Sequence, residues 1–372
     1  ILNAITPIDD SYQNSTGDTV GGDFSVFYTS GKMASQGNYS ELYQADTFAT
    51  EREKIFSPLD RAILYFNYPP TALLLFSPLS KLPYMFAYGL WVILLLTGTG
   101  LTIYAFTKNR IITAAALLSP AFLWCINTGQ LGFLVTMLMG LGLYMLNRGN
   151  KMTAGMLFGL LIIKPHLALA LPICMIATKE WRVIFGGIFS ASLAMLMSLF
   201  IFGPEAWTAL ATQLTSNVTG HLNANGNIAD RIPTIFVTLM HLTDNKTLAA
   251  ILHSIGALVA IGTTVYIWRN SSDTTARLIT LFVVPALISP YYFDYDLTGI
   301  GLIFALMMAE ASKKEPRKFD LIALTGLWTI TIFMLIGKIN FVFTGPIFLL
   351  ALLYYATIRA TKSPTAQQSR NP

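Results

Sequence analysis

Long apolar segments separated by short polar joints make up most of this chain. A helix needs about 20 apolar residues to cross a bilayer, and several segments reach or approach that length. Shorter ones are tolerated where they are buried in protein or line a watery cavity. The pattern therefore predicts an all-α polytopic membrane protein. Its roughly ten apolar segments lie at 83–106, 111–126, 130–147, 152–178, 183–203, 247–268, 278–290, 297–310, 320–337 and 341–358.

One of these segments, 152–178, is interrupted by Lys164-Pro165-His166. Because Pro165 breaks a helix, we expect a hairpin of two short helices here. Together with the other short segments, this hairpin indicates a cavity that enters the membrane from one side.

The polar stretches predict three regions. Residues 1–68 form the one long polar stretch and are expected to be an extracytoplasmic loop region with short interfacial helices. Residues 69–360 form a multi-span transmembrane domain, and 361–372 form a polar, disordered cytoplasmic tail. Since the chain begins with Ile1 rather than Met, we also expect that a membrane span preceding it was removed.

Composition supports a membrane protein and narrows its partners. The chain is 54% hydrophobic and only 12% charged, whereas soluble domains carry about 25% charged residues. Its net charge of +5 does not indicate nucleic acid binding, because the basic residues sit between apolar segments. Cys125 and Cys174 lie inside apolar runs and are interpreted as core residues. No His/Cys cluster has metal-ligand spacing, so we expect no metal and no cofactor.

Charge is distributed unequally between alternate joints. One set of joints holds 15 of the 24 Lys and Arg residues but only five of the 19 Asp and Glu residues. By the positive-inside rule this set is cytoplasmic, which requires 152–178 to enter and leave on the same side. The opposite, outer face then collects 1–68, Gly129-Gln130, Lys164-Pro165-His166, 204–231, 291–296 and 338–340.

Asp23 is the first candidate for chemistry on this outer face. It follows Gly21-Gly22 and precedes an aromatic run. A carboxylate here could take the proton of an attacking sugar hydroxyl as a general base. The alternative is a helix N-cap, a position where Asp is favoured.

Lys164 is the second candidate, because an ionisable residue deep in an apolar segment predicts a function. A lysine can bind phosphate as a point charge, and His166 could add a second donor. The alternative is a lysine that extends its ammonium to water at the membrane edge. Arg231 could also help hold a phosphate, or it could be an interfacial anchor.

Aromatic and carboxylate side chains near residue 294 suggest sugar binding. Asp294 and Asp296 could bind sugar hydroxyls, although Asp296 could instead cap a helix starting at Leu297. Gln130 could bind a sugar or cap a helix. The predicted sugar- or acceptor-binding residues are therefore Gln130, Tyr68, Tyr292, Asp294 and Asp296.

Several short motifs occur in a characteristic order between about residue 20 and residue 300. In these motifs and their order, the chain resembles glycosyltransferase family 87, the polyprenol-phosphate-mannose-dependent mannosyltransferases of bacterial membranes. The motifs are Gly22-Asp23-Phe24-Ser25-Val26-Phe27-Tyr28, Gly31, Leu42-Tyr43, Phe66-Asn67-Tyr68-Pro69-Pro70, Pro78-Leu79, Leu82-Pro83, Leu90-Trp91, Gly129-Gln130, Arg148-Gly149, Ala154-Gly155, Gly159-Leu160, Lys164-Pro165, Ser289-Pro290 and Tyr295-Asp296-Leu297.

The resemblance implies a GT-C type fold in the plasma membrane and an active site facing the periplasm or cell exterior. It implies a polyprenyl-phosphate sugar as donor, a glycolipid or glycan as acceptor, and an inverting displacement. The family's base is the Asp of its first outer loop, which maps to Asp23, and the family's Lys-Pro maps to Lys164-Pro165, where we place the donor phosphate. The leaving phosphate needs a cation, which Lys164 with His166 or Arg231 could supply. Some members carry a His-containing motif after the late Ser-Pro, but this chain has Tyr291-Tyr292-Phe293-Asp294-Tyr295-Asp296 there. No phosphate-binding role is carried over to that segment.

Two other functions remain as alternatives. A transporter or lipid flippase would often show internal repeats and ionisable residues at the membrane midplane. This chain shows no repeat, and its polar residues gather toward one face, which favours an enzyme. A polymerase or ligase of lipid-linked glycans typically has a large loop late in the chain, whereas here the long polar stretch comes first.

Overall fold

The computed structural model describes residues 7, 12–15, 17–56, 65–222, 231–336 and 341–362. Within these ranges the chain folds into sixteen α-helices and short 3-10 turns, so the all-α prediction is confirmed. The predicted disordered tail beyond residue 362 and the joint at 338–340 lie outside the described residues. The helices are α1 Phe24–Ser35, α2 Ala45–Ile55, α3 Leu73–Leu79, α4 Tyr84–Thr107, α5 Arg110–Leu117, α6 Pro120–Thr128, α7 Gly132–Asn147, α8 Lys151–Gly159, α9 Ala170–Ala177, α10 Trp181–Leu222, α11 Ile235–Thr243, α12 Lys246–Asn270, α13 Thr274–Ile288, α14 Ile300–Ala311, α15 Lys318–Ile336 and α16 Phe341–Thr361.

Four helices of the described chain are long and apolar enough to span a membrane: α4, α10, α12 and α16. The pair α5 and α6, bent by 50°, adds a fifth if it counts as one broken span. At 1.5 Å per residue the 24 residues of α4 extend about 36 Å, more than the roughly 30 Å hydrocarbon core. Other predicted segments form shorter helices, such as α7 and α13. The chain is therefore a multi-pass membrane protein with fewer helices of full spanning length than the ten predicted segments.

The predicted break in segment 152–178 is confirmed. Helix α8 gives way to a 3-10 turn, Lys164 adopts φ −141° and ψ 69°, and a second 3-10 turn leads into α9. Lys164 leaves the helical region because a residue that precedes proline disfavours it. The Nζ of Lys151 lies 2.8 Å from Oε2 of Glu180, so the two ends of the segment meet at one face. The segment enters and leaves on the same side, as the charge distribution requires.

Helix α8 packs closely against α10 through glycine. Gly155 and Gly159 lie one helical turn apart, the small-xxx-small spacing that lets membrane helices approach closely. A Cβ added at Gly155 would lie 2.1 Å from the carbonyl oxygen of Val183, and one at Gly159 would lie 2.2 Å from that of Gly187. This contact fixes the position of α8, which ends beside the break at Lys164.

The basic joints converge at one end of the bundle, around Arg359. Its guanidinium lies 2.9 Å from Oδ2 of Asp273 and 2.7 Å from Oε2 of Glu310. Tyr355 donates to Oδ1 of Asp320 at 2.6 Å. These bonds join three of the joints that the charge count assigns to one side.

The polar residues 12–15 and 17–23 lie at the other end of the bundle. Tyr84, at the start of α4, donates to the carbonyl oxygen of Val20, while α4 ends at the basic joint near Lys108. Tyr28 in α1 donates to the carbonyl oxygen of Leu82 at 2.8 Å. The described part of the first polar region is therefore packed on the bundle rather than detached from it.

Cysteine labelling tests this division into two ends. Gln36→Cys and Ser272→Cys place thiols at exposed positions near opposite ends, whereas native Cys125 and Cys174 are buried. In sealed vesicles of one orientation, a membrane-impermeant maleimide is expected to label only one variant from outside and the other only after permeabilisation. Labelling of both variants from the same side would contradict the arrangement.

Candidate active site

A cavity of about 140 Å³ opens among the turns at the end of the bundle away from Arg359. Residues from six separate parts of the chain reach its wall, and they include most of the predicted site. The predicted residues on the wall are Asp23, Tyr68, Gln130, Lys164, His166 and Arg231. The cavity has room for several water molecules, and these side chains bring polar groups to a wall that is otherwise largely apolar.

Two tight turns dock against each other and place Asp23 in the wall. Gly21 and Gly129 both have positive φ, 79° and 64°, which glycine adopts without steric cost. A Cβ at Gly129 would lie 2.5 Å from the carbonyl oxygen of Gly21, so the turns meet backbone to backbone. The amide of Asp23 donates to the carbonyl oxygen of Thr128 at 2.9 Å. This docking brings Asp23 next to Gln130.

The carboxylate of Asp23 is available for chemistry. Asp23 occupies the N-cap position of α1, yet its side chain makes no capping hydrogen bond, so the helix-cap alternative is wrong. Instead its Oδ2 accepts a hydrogen bond of 2.6 Å from Nε2 of Gln130. Burial raises the pKa of Asp23, while this bond and the positive charges of Arg231 and Lys164 lower it.

Lys164 is buried and paired. Its Nζ lies 2.5 Å from Oδ1 of Asp296 and 4.8 Å from the ring centroid of Tyr295. The residue is only 4% exposed, so its ammonium does not extend to bulk water and the snorkelling alternative is wrong. A buried lysine of this kind depends on its partner, because an uncompensated charge in a low dielectric is costly.

Arg231 forms a second ion pair beside the first. Its Nε and Nη2 bind Oδ2 and Oδ1 of Asp294 at 3.1 and 3.0 Å, a two-point geometry that fixes the guanidinium plane. The guanidinium also lies 5.4 Å from the ring of Trp124 and 5.5 Å from that of Tyr295. These partners hold Arg231 in the cavity wall, which a simple interfacial anchor would not require.

His166 adds an unused polar atom to the wall. Its ring meets that of Tyr291 edge-on at 5.9 Å. Its Nε2 is buried and has no hydrogen-bond partner among the described residues. It can therefore donate to, or accept from, a bound ligand.

Three predicted sugar-binding residues lie behind the wall instead of on it. Asp294 and Asp296 are 5% and 2% exposed and hold the two cations. Tyr292 is buried and donates to the carbonyl oxygen of Asp296 at 2.9 Å. Asp296 lies within a 3-10 turn and binds Lys164, so it does not cap a helix either. In the structure these three side chains contact the cations and the backbone, and their contact with a sugar stays a prediction.

Tyr295 is a wall residue that the sequence prediction did not single out. Its ring lies near both Lys164 and Arg231, at 4.8 and 5.5 Å. The sequence offered one signal for this residue, because Tyr295 lies between Asp294 and Asp296. The two cations that these carboxylates bind both lie near its ring. Tyr65 and Asn67 also line the cavity.

Among the described residues, the cavity wall thus carries two cations and one carboxylate that is not paired with a cation. Lys164 and Arg231 each carry a carboxylate partner, whereas Asp23 is held by the neutral amide of Gln130. Such a site offers a carboxylate that can accept a proton and cations that can stabilise a developing negative charge.

The Lys164–Asp296 pair predicts a specific pattern of stability. Lys164→Met leaves Asp296 buried and uncompensated, so we expect the free energy of unfolding to fall by about 3–5 kcal/mol. Lys164→Met combined with Asp296→Asn is expected to recover most of this loss. Unfolding in mixed micelles, followed by tryptophan fluorescence, measures both. Lys313→Met, at an exposed lysine, is the matched control and should change stability by less than about 0.5 kcal/mol. Equal stability of Lys164→Met and the wild type would contradict the pairing.

Comparison with known proteins gives a family. The model of glycosyltransferase family 87 matches residues 66–290, more than half of the chain. The match includes Tyr68, Gln130, Lys164, His166 and Arg231 but begins after Asp23. No curated protein and no solved structure matches the chain. The chain belongs to glycosyltransferase family 87 and is a membrane glycosyltransferase.

Proposed function

We propose that this enzyme moves a hexose, most simply mannose, from a polyprenyl-phosphate sugar to a hydroxyl group of a glycolipid or glycan. The observation that carries the proposal is the shared cavity, in which Asp23 faces the same space as Lys164, His166 and Arg231. A transferase of this kind needs a base for the acceptor and positive charge for the leaving phosphate.

The carboxylate of Asp23 and the ammonium of Lys164 act in one displacement. The acceptor oxygen attacks the anomeric carbon while Asp23 takes the hydroxyl proton. The bond from the anomeric carbon to the phosphate oxygen breaks, and its electron pair stays on the phosphate. Lys164 stabilises that charge, with Arg231 and His166 as further donors. Attack opposite the leaving group inverts the anomeric configuration.

The carboxylates of Asp296 and Asp294 explain how the cations persist when no donor is bound. Each cation has a carboxylate partner, so neither is an isolated buried charge. A lysine ammonium has three donor positions, and among the described residues the Lys164 ammonium donates one hydrogen bond, to Asp296. The donor phosphate can therefore bind Lys164 without displacing its partner.

A narrow apolar crevice, about 10 Å³ in volume, lies next to the cavity. Ile163 and Lys164 line both spaces, so the crevice begins where the phosphate is proposed to bind. At this volume it holds less than one isoprene unit, so a polyprenyl chain entering between α7 and the 3-10 turn 160–163 would have to widen it. The other lining residues are Leu131, Leu134, Val135, Leu138, Leu160 and Leu161.

The charge distribution supports an extracytoplasmic reaction in the plasma membrane. The joints around Arg359 carry the basic excess and are assigned to the cytoplasm. The cavity lies at the other end of the bundle, where a lipid-linked donor and an envelope glycan or glycolipid can meet. Membership in a glycosyltransferase family favours this enzyme over a transporter or flippase.

A transfer assay with purified protein tests the reaction and the base together. The wild type receives polyprenyl-phosphate mannose with a labelled sugar and a membrane glycolipid extract. Asp23→Asn removes the proton acceptor, and we expect the rate to fall by about 10²–10⁴-fold, the usual contribution of a general base. Asp46→Asn makes the same change at an exposed aspartate outside the cavity and should retain the wild-type rate.

The outcomes of this assay separate two claims. If the wild type transfers no label from any of several polyprenyl-phosphate sugars, the proposed donor is wrong. If Asp23→Asn transfers label as fast as the wild type, the donor stands and the base assignment is wrong.

A further inference from the structure

We infer that Gln130 is a positioning residue for the carboxylate of Asp23, and that Tyr68 and the backbone amide of Leu131 fix Gln130 in that role. The inference rests on the proposed function, in which Asp23 is the base. It replaces the expectation that Gln130 and Tyr68 contact the sugar directly.

The hydrogen bonds determine which end of the Gln130 amide faces Asp23. The backbone N–H of Leu131 points to one terminal atom of Gln130 at 3.3 Å, and a backbone N–H can only donate. That atom must therefore be the oxygen, Oε1, which also accepts from the hydroxyl of Tyr68 at 2.9 Å. The other terminal atom is then the amide nitrogen, a donor, and it lies 2.6 Å from Oδ2 of Asp23.

The supports of Gln130 are themselves fixed. Gln130 and Tyr68 are 4% and 9% exposed. The carbonyl oxygen of Tyr68 accepts from the hydroxyl of Tyr43 at 2.9 Å, and the ring of Tyr68 packs edge-on against Phe27 at 5.1 Å. With both ends of the amide bonded, Gln130 cannot turn away from Asp23 without breaking these hydrogen bonds.

This chain of bonds leaves one carboxylate oxygen of Asp23 for the acceptor. Oδ2 is bonded to Gln130, whereas no hydrogen bond to Oδ1 is seen among the residues that the structure describes. A base must lie within hydrogen-bond reach of the proton that it removes, so a fixed Oδ2 sets the direction in which Oδ1 can work.

Gln130 also favours the charged form of Asp23. A donor that binds a carboxylate stabilises its ionised form, whereas burial of the carboxylate favours the neutral form. Lys164 and Arg231 face Asp23 and favour ionisation, and Asp294 opposes it. The phenols of Tyr68, Tyr291 and Tyr295 also interact with it. Of all these groups, Gln130 is the one that binds Asp23 directly.

The pH dependence of transfer tests the inference. Gln130→Leu removes the donor, so the pKa of Asp23 rises and the acidic limb of kcat/KM moves to higher pH. We expect kcat at neutral pH to fall by about 10- to 100-fold, as expected for a lost hydrogen bond to a charged group. The KM for the donor should change little, because the phosphate is bound elsewhere. Tyr68→Phe should also shift the acidic limb of kcat/KM to higher pH, but by less than Gln130→Leu does.

Two further variants separate positioning from packing. Gln130→Glu keeps the size but places a second carboxyl beside Asp23, so it should shift the acidic limb at least as far as Gln130→Leu. A space-filling role would instead make Glu the milder change. Tyr88→Phe removes a buried hydroxyl that binds the carbonyl oxygen of Ile126 at 2.7 Å, outside this chain of bonds. It should leave the position of the limb unchanged.

A second measurement does not depend on catalysis. A hydrophobic carbodiimide modifies protonated carboxyl groups, and mass spectrometry reads the extent at Asp23. The pH midpoint of modification should be higher in Gln130→Leu than in the wild type. Unchanged midpoints and limbs in an enzyme that transfers sugar would overturn the inference. Absence of transfer in the wild type would overturn only the proposed function, since the carbodiimide midpoint reports on Gln130 either way.

Discussion

A lysine ammonium inside an apolar bundle requires a partner of opposite charge, and in this protein that partner is Asp296. The pair joins the broken segment between α8 and α9 to the 3-10 turn that precedes α14, two parts of the chain that lie 132 residues apart. Pro165 makes the lysine available, because it interrupts the helix and leaves Lys164 in a non-helical conformation. The same pair keeps a cation in the cavity wall without an isolated charge.

The other half of the site depends on backbone packing. Gly21 and Gly129 let two turns meet, and this contact brings Asp23 to Gln130 across 107 residues of sequence. Cations and base therefore have separate supports: ion pairs hold Lys164 and Arg231, and a neutral amide holds Asp23. This separation suits the proposed displacement, in which the hydroxyl attacks one side of the anomeric carbon while the phosphate leaves from the opposite side.

The sequence predicted which residues belong to this site better than it predicted which of them contact each other. The break at Lys164 followed from a proline in an apolar segment, and Asp23 was prominent beside two glycines. The partners could not be read, because periodicity gives the face of a helix but no distance between remote segments. Asp294 and Asp296 were therefore taken for sugar ligands, although burial commits them to Arg231 and Lys164. The sequence also indicated that several apolar segments are too short for a full span, but not which ones form spanning helices, since apolar composition does not distinguish a crossing helix from a short one buried in protein.

The most direct test of the account is a structure of the protein bound to a non-reactive phosphonate analogue of a polyprenyl-phosphate sugar. The account predicts a phosphonate oxygen within hydrogen-bond distance of Nζ of Lys164, and the anomeric carbon between that oxygen and Asp23. A phosphonate bound away from Lys164, for example among the basic joints around Arg359, would contradict it. So would a sugar whose anomeric carbon faces away from Asp23.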